Sequence, residues 1–357
     1  MLNFLKIQDG VVNASMYEPL VSLSRGPIEE SLHFGAAAVV DSNGKLMFSL
    51  GDANGVTYLR STSKPLQAIP FVEAGGAKKF EFTEEETAIM CASHHGTAEH
   101  VRVVQSMHQK AGLRLEQMMC GVHYPEDTNS RNALIEQGQG PVAYHHNCSG
   151  KHTMMLAYAK LMGYSSEDYI QPHHPVQRDI LRCVSEMCQY SEEKIAIGVD
   201  GCTVPVFGMP LYNAALGFAR MADPHALSEK RAAACRTLSQ AMMHYPMMIA
   251  GPKGFDTHLM TAANGKVFCK AGAEGFQGVG ILPGVLGPDS PGIGIAIKIS
   301  DGDPNLRARS AVALSILHHM QVLTEAELGN LMDYTSAHPV YNWRKIEVGK
   351  LTTTFDL

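Results

Sequence analysis

The way hydrophobic periodicity is distributed along the chain restricts its fold more than any other feature. Near the N-terminus, two short apolar runs (36–40 and 45–50) flank Asp41-Ser42-Asn43-Gly44. An Asn-Gly between such runs predicts a β-hairpin. The middle of the chain is spaced at 3.6 residues instead, as in Val101, Val104, Met107 and Ala111, and again over 154–162, 176–187, 211–219 and 228–244. Thr83-Glu84-Glu85-Glu86 is a capping-box sequence that opens a short helix. Strand character returns at 258–262 and 266–269, around Asn264-Gly265, and predicts a second hairpin. It continues at 278–282 and 293–299, before a last amphipathic helix over about 306–323.

Strands at both ends and helices between them predict an α/β (α+β) fold. The terminal strands join in one largely antiparallel sheet, and helices cover it and form a second lobe. A doubly wound parallel sheet would need strands and helices to alternate throughout. With no internal repeat, low-complexity tract or linker, residues 1–357 are expected to form one unit. Its sheet lobe would come from about 15–60 and 250–357, and its mostly helical lobe from about 65–245.

Composition excludes several classes. The chain has 357 residues with 29 Lys+Arg against 35 Asp+Glu, a net charge of −6, and lacks the basic stripe a nucleic-acid-binding surface needs. No run of about 18 uncharged apolar residues is present, so no membrane span is expected. Met1-Leu2-Asn3-Phe4-Leu5-Lys6 lacks the pattern of a signal peptide. Eight cysteines occur without a Cys-x-x-Cys pair. Free thiols in a reducing, cytoplasmic compartment are therefore expected, and a disulfide scaffold or zinc ribbon is excluded.

The sharpest chemical motif is Arg60-Ser61-Thr62-Ser63-Lys64-Pro65, between the strand-like 56–59 and an apolar run. Ser61 is expected to open a helix, with Pro65 in its first turn. Ser61 and Lys64 then share a face. A serine hydroxyl becomes a nucleophile when a base takes its proton, and a lysine with a depressed pKa can be that base. Alone, Ser-x-x-Lys reads more readily as an N-cap beside a solvated lysine. Two further elements follow in the order known from penicillin-binding and β-lactamase enzymes: Ser93 in Cys91-Ala92-Ser93-His94-His95-Gly96, and Lys270 in a strand ending Lys270-Ala271-Gly272. The ordered set Ser61, Lys64, Ser93, Lys270 favours catalysis over coincidence.

A second constellation is Asn147-Cys148-Ser149-Gly150-Lys151-His152 with Asp200-Gly201-Cys202. From spacing, the two cysteines fit either buried structural thiols or ligands of a soft divalent metal. The Gly-x-x-x-x-Gly-Lys spacing of a phosphate loop is absent, as is His-Glu-x-x-His.

Together with Lys270-Ala271-Gly272-Ala273-Glu274-Gly275, Phe255-Asp256-Thr257 and Ile297-Lys298-Ile299-Ser300-Asp301-Gly302, these segments resemble the asparaginase II family, the rhizobial-type or class 3 L-asparaginases. The resemblance runs from about Glu18 to Val340. It implies hydrolysis of L-asparagine to L-aspartate and ammonia on a fold related to serine β-lactamases. It implies Ser61 as nucleophile, with Lys64, Ser93 and Lys270 moving protons. It also implies a zinc on Cys148, Lys151 and Cys202 near the substrate, with Asp200 beside it, and a homodimer. Arg60 is a candidate cation for the substrate's α-carboxylate, and His152 and Asp200 are expected toward the substrate. The alternatives are a serine amidase or glutaminase of the same fold, and a catalytically silent amino-acid- or zinc-binding homologue. The family more often reads Ser-His-Ser-Gly-Glu at the second element, where this chain has His95 and Thr97.

Overall fold

The structure, a computed structural model, describes residues 16–357. The segment read for an export signal, Met1–Lys6, lies outside them. The strands are β1 (Glu18–Arg25), β2 (Ile28–Asp41), β3 (Leu46–Leu50), β4 (Val56–Tyr58), β5 (Ala196–Val199), β6 (Pro205–Pro210), β7 (Val267–Gly272), β8 (Phe276–Ile281), β9 (Ile293–Ile299), β10 (His338–Tyr341) and β11 (Glu347–Thr353). Eight of them form one sheet in the order β10-β11-β1-β2-β9-β8-β7, with β3 also on β2, and every pairing in it is antiparallel. The fold is thus the mixed α/β class expected, with both chain ends in one sheet. The centre of the sheet, β2 from Gly35 and β9, is covered on both faces, so both are buried throughout and mostly apolar, with Asp41 and Lys298 the charged exceptions. The helix Leu211–Ala222 lies against β9 so closely that a Cβ at Gly294 would sit 1.8 Å from Ala215 O.

The hairpin at Asn43-Gly44 forms as expected, pairing β2 with β3, and Gly44 takes a φ of +88° in the turn. Helices fill the middle at Lys64–Glu73, Glu84–Ile89, Ala98–Ala111, Ser149–Met162, Pro175–Cys188, Leu211–Ala222 and Glu229–His244, and the last amphipathic run becomes Ala308–His319. Thr83 and Glu86 complete the capping box.

Two local readings are corrected. Residues 258–262 are not a strand but part of the helix Phe255–Ala263, which ends on Asn264 at φ +46°. Asn-Gly here is a left-handed helix C-cap, which uses the same residues as a hairpin turn. The helix after Ser61 also begins later than expected: Arg60–Ser63 is a 3₁₀ turn, and the α-helix starts at Lys64. A small sheet, β4-β6-β5, was not foreseen, nor were β10 and β11.

Candidate active site

Leu59 is buried and tied to the small sheet through its N–H, which donates to Phe207 O at 2.9 Å. The next residue, Arg60, has φ +50°. A left-handed arginine costs on the order of 1–3 kcal/mol and persists only where its surroundings enforce it. Here they do. Arg60 Nε donates to Asp200 Oδ1 at 2.8 Å, Ser63 Oγ donates to Arg60 O at 2.9 Å, and Gln67 Nε2 donates to Ser63 Oγ at 2.8 Å. Thr62 Oγ1 donates to Lys270 O at 3.2 Å and ties the turn to β7. Ser61 sits on this strained turn, partly exposed, and its Oγ has no hydrogen-bond partner among the described residues.

Lys64 is fully buried. Its Nζ donates to Ala92 O at 2.5 Å and to Ser93 Oγ at 2.9 Å, and not to Ser61. Ser93 lies in the loop between the helices Glu84–Ile89 and Ala98–Ala111, with its N–H on Ile249 O. Lys270, on edge strand β7, is equally buried; its Nζ donates to Ala271 O at 2.6 Å and faces Asp256 Oδ2 at 3.8 Å. Burial, only partly opposed by Asp256 and reinforced by the Lys64 and Arg309 charges, lowers the Lys270 ammonium to about 8. Asp256 is itself held by Ala271 N at 2.7 Å and Gln277 Nε2 at 2.9 Å.

Ser61, Ser93 and Lys270 line one cavity of about 330 Å³ with His95, Glu126, Asn147, Asp256 and Arg309. Ser61, Glu126, Asn147 and Ala273 also line a second, of about 270 Å³, with Arg60, Cys148, Asp200 and Cys202. The two are lobes of one cleft with Ser61 at their junction.

In the second lobe, Lys151 Nζ approaches Cys202 Sγ to 3.1 Å, and Cys202 lies 3.8 Å from Asp200 Oδ2. Cys148 hydrogen-bonds Cys202 and, with Lys151, lowers its thiol to about 5 against the effect of burial. Lys151 is held charged: burial opposes this, but Cys202, Cys148 and Asp200 outweigh it. The three donors thus meet in one buried cluster of two thiols and an amine, a set whose softness suits zinc. Among the described residues no group of three or more His, Cys, Asp or Glu is placed to hold a metal, so a metal here would need the Lys151 amine, which has a lone pair to offer only after losing its proton.

Of the residues expected toward the substrate, Arg60 and Asp200 pair with each other. His152 is fully buried and lines neither lobe. Its Nδ1 shares a 2.6 Å hydrogen bond with Tyr169 OH, and burial lowers the imidazole to about 3. Glu126, Asp256, His95 and Arg309 also line the first lobe and were not assigned from sequence. Asp256 and His95 had fallen within recognised segments; Glu126 and Arg309 come from a loop and a helix start with no local signature.

A family model described as L-asparaginase II matches residues 21–353. No curated protein matches the chain. Among solved structures it is similar to a β-lactamase from Mycobacterium bovis (14% identity, TM-score 0.42, covering 80% of this chain and 94% of that one). It is also similar to a Bacillus glutaminase (11%, 0.38, 81% and 91%) and to a probable glutaminase from Bacillus subtilis (12%, 0.38, 81% and 85%).

Proposed function

The chain belongs to the L-asparaginase II family and is an amidohydrolase, and from that premise we propose that it hydrolyses L-asparagine to L-aspartate and ammonia through Ser61. The observation that carries this reading is Ser61 on its strained turn, lining one cavity with Ser93 and Lys270 while Lys64 holds Ser93. Lys270, its ammonium lowered by burial to about 8, sheds its proton readily. Lys64, in its neutral form, would offer a lone pair. Through Ser93 it accepts the Ser61 proton as Oγ attacks the amide carbon. The carbon–nitrogen bond then breaks, the proton passes to the leaving nitrogen, and ammonia departs. Water hydrolyses the ester and Ser61 regains its proton. Backbone N–H groups of the Ser61 turn would steady the oxyanion, an effect worth about 3–4 kcal/mol per donor.

Cys148, Lys151 and Cys202 would hold zinc, which when bound supplies a fixed positive charge beside the substrate. The Arg60–Asp200 pair holds the wall of that lobe. A homodimer in a reducing cytoplasm belongs to the same proposal; the latter suits eight buried free cysteines, and sedimentation tests the former. Ser61→Ala is expected to lower ammonia release from asparagine by three orders of magnitude or more, roughly the cost of losing such a nucleophile, with circular dichroism unchanged. Retained turnover in that variant removes the assignment. Metal-free protein is expected to bind asparagine more weakly; an unchanged KM counts against zinc.

A further inference from the structure

The first lobe has two electrically opposite ends that the chemistry at Ser61 leaves unused. At one end Arg309 stands beside Lys270. Its Nη1 donates to Gly272 O at 2.8 Å, which pins the guanidinium against the end of β7. Lys253 lines the lobe as well, toward Asp127, but Arg309 is the one arginine there, with a planar fork to offer. Asp303 fixes its backbone: Oδ1 accepts from Arg307 N and Ala308 N, and Oδ2 from Arg309 N. At the other end Glu126 faces His95 at 3.7 Å, and Asn147 Nδ2 donates to its Oε1 at 3.4 Å. The remaining carboxylates of the cleft are committed. Asp256 is held by Ala271 N and Gln277, and Asp200 by Arg60. Glu126 therefore keeps acceptor capacity, Arg309 keeps most of its N–H fork, and both share a cavity wall with Ser61.

Resting on the amidohydrolase reading above, we propose that this lobe reads its substrate as a free, zwitterionic α-amino acid. Arg309 takes the α-carboxylate, Glu126 takes the α-ammonium, and the side-chain amide points to Ser61. A guanidinium fork matches a carboxylate in two parallel hydrogen bonds, and an ammonium matches a carboxylate that has lone pairs to spare. The substrate class is then short side-chain amides of unblocked α-amino acids. Peptides and β-lactams would leave Glu126 or Arg309 without its partner.

Three amides separate the two ends: L-asparagine, succinamate (no ammonium) and 3-aminopropanamide (no α-carboxylate). Arg309→Gln is expected to raise KM about 10- to 100-fold for asparagine and succinamate, the range for hydrogen bonds to charged groups, with KM for 3-aminopropanamide unchanged; the kcat change from losing the Arg309 charge beside Lys270 falls on all three alike. Glu126→Gln does the reverse, penalising asparagine and 3-aminopropanamide but not succinamate. Arg309→Lys, which keeps the charge, recovers part of the asparagine loss. Equal rises in KM on all three amides, or none, overturn the proposal. Calorimetry with L-aspartate, succinate and β-alanine reads the same ends without turnover. Should the wild type release no ammonia from any amide yet show this pattern of binding, the reaction assigned above fails and the zwitterion site stands. Should asparagine be hydrolysed without discrimination by the variants, the zwitterion site alone fails. Absence of both turnover and binding overturns both.

Discussion

Lys270 carries its amine where almost no water reaches, and that location gives it two measurable properties. Its folded value of about 8 lies below the ordinary 10.5. Between them the unfolded chain holds the proton and the folded chain does not. The contribution to stability therefore rises with pH from about 8 to 10.5 and is poorest below 8, a difference of about 3 kcal/mol. Lys270→Met is expected to lose this upward component in denaturant melts compared at pH 7 and pH 10; an identical pH dependence in both proteins would show that the group is not buried as described. Ammonia release should climb with pH on a limb centred near 8, as the Lys270 amine sheds its proton. A profile flat from pH 6 to 9 would argue against a proton-shedding lysine. Part of this was legible: Ser61, Lys64, Ser93 and Lys270 stand in motifs. What spacing could not supply is that Lys64 grips Ser93 and Ala92 rather than Ser61, since residues 29 positions apart meet only in the fold.

At the scale of elements, the nucleophile turn and β7 are fitted together. A Cβ on Gly272 would meet Thr62 Oγ1 at 2.6 Å and Leu59 O at 2.8 Å. Gly272→Ala is expected to cost about 1–3 kcal/mol as overpacking. Because the strain falls on the turn holding Ser61, kcat should drop by more than the loss of folded protein explains. Thermal melts and turnover on one sample check both; full activity per folded molecule would contradict the coupling. Thr97 caps the helix Ala98–Ala111, accepting from His100 N while His100 Nδ1 accepts from Thr97 N. Thr97→Ala should lower stability by about 1 kcal/mol, measurable by chemical denaturation. Capped helices of this kind could be read ahead of the structure because the signal is local. Asn264-Gly265 misled because the left-handed conformation it favours ends a helix as readily as it turns a hairpin.

For the whole molecule, the sheet is closed by its last strand. β1 is bonded on one side to β2 and on the other to β11, with Val21 opposite Thr353 and Leu23 opposite Leu351. A chain ending at Asn342 leaves β1 as a raw edge, open to pairing with other copies. Its melting temperature is expected to fall by roughly 5–10 °C, with β1 amides exchanging fastest. Unchanged melting would mean that β11 adds little.

The sequence by itself determined the class of sheet, the run of helices between its two halves and the motifs from which the reaction is proposed, because periodicity, caps and short motifs act over a few neighbouring residues. Tertiary structure alone decided that Ser61 stands where two lobes meet, that Arg60 spends its charge on Asp200, and that Glu126 and Arg309 face one cavity. Those relations join segments more than a hundred residues apart. They depend on how strands from both chain ends register in one sheet, which no local pattern encodes.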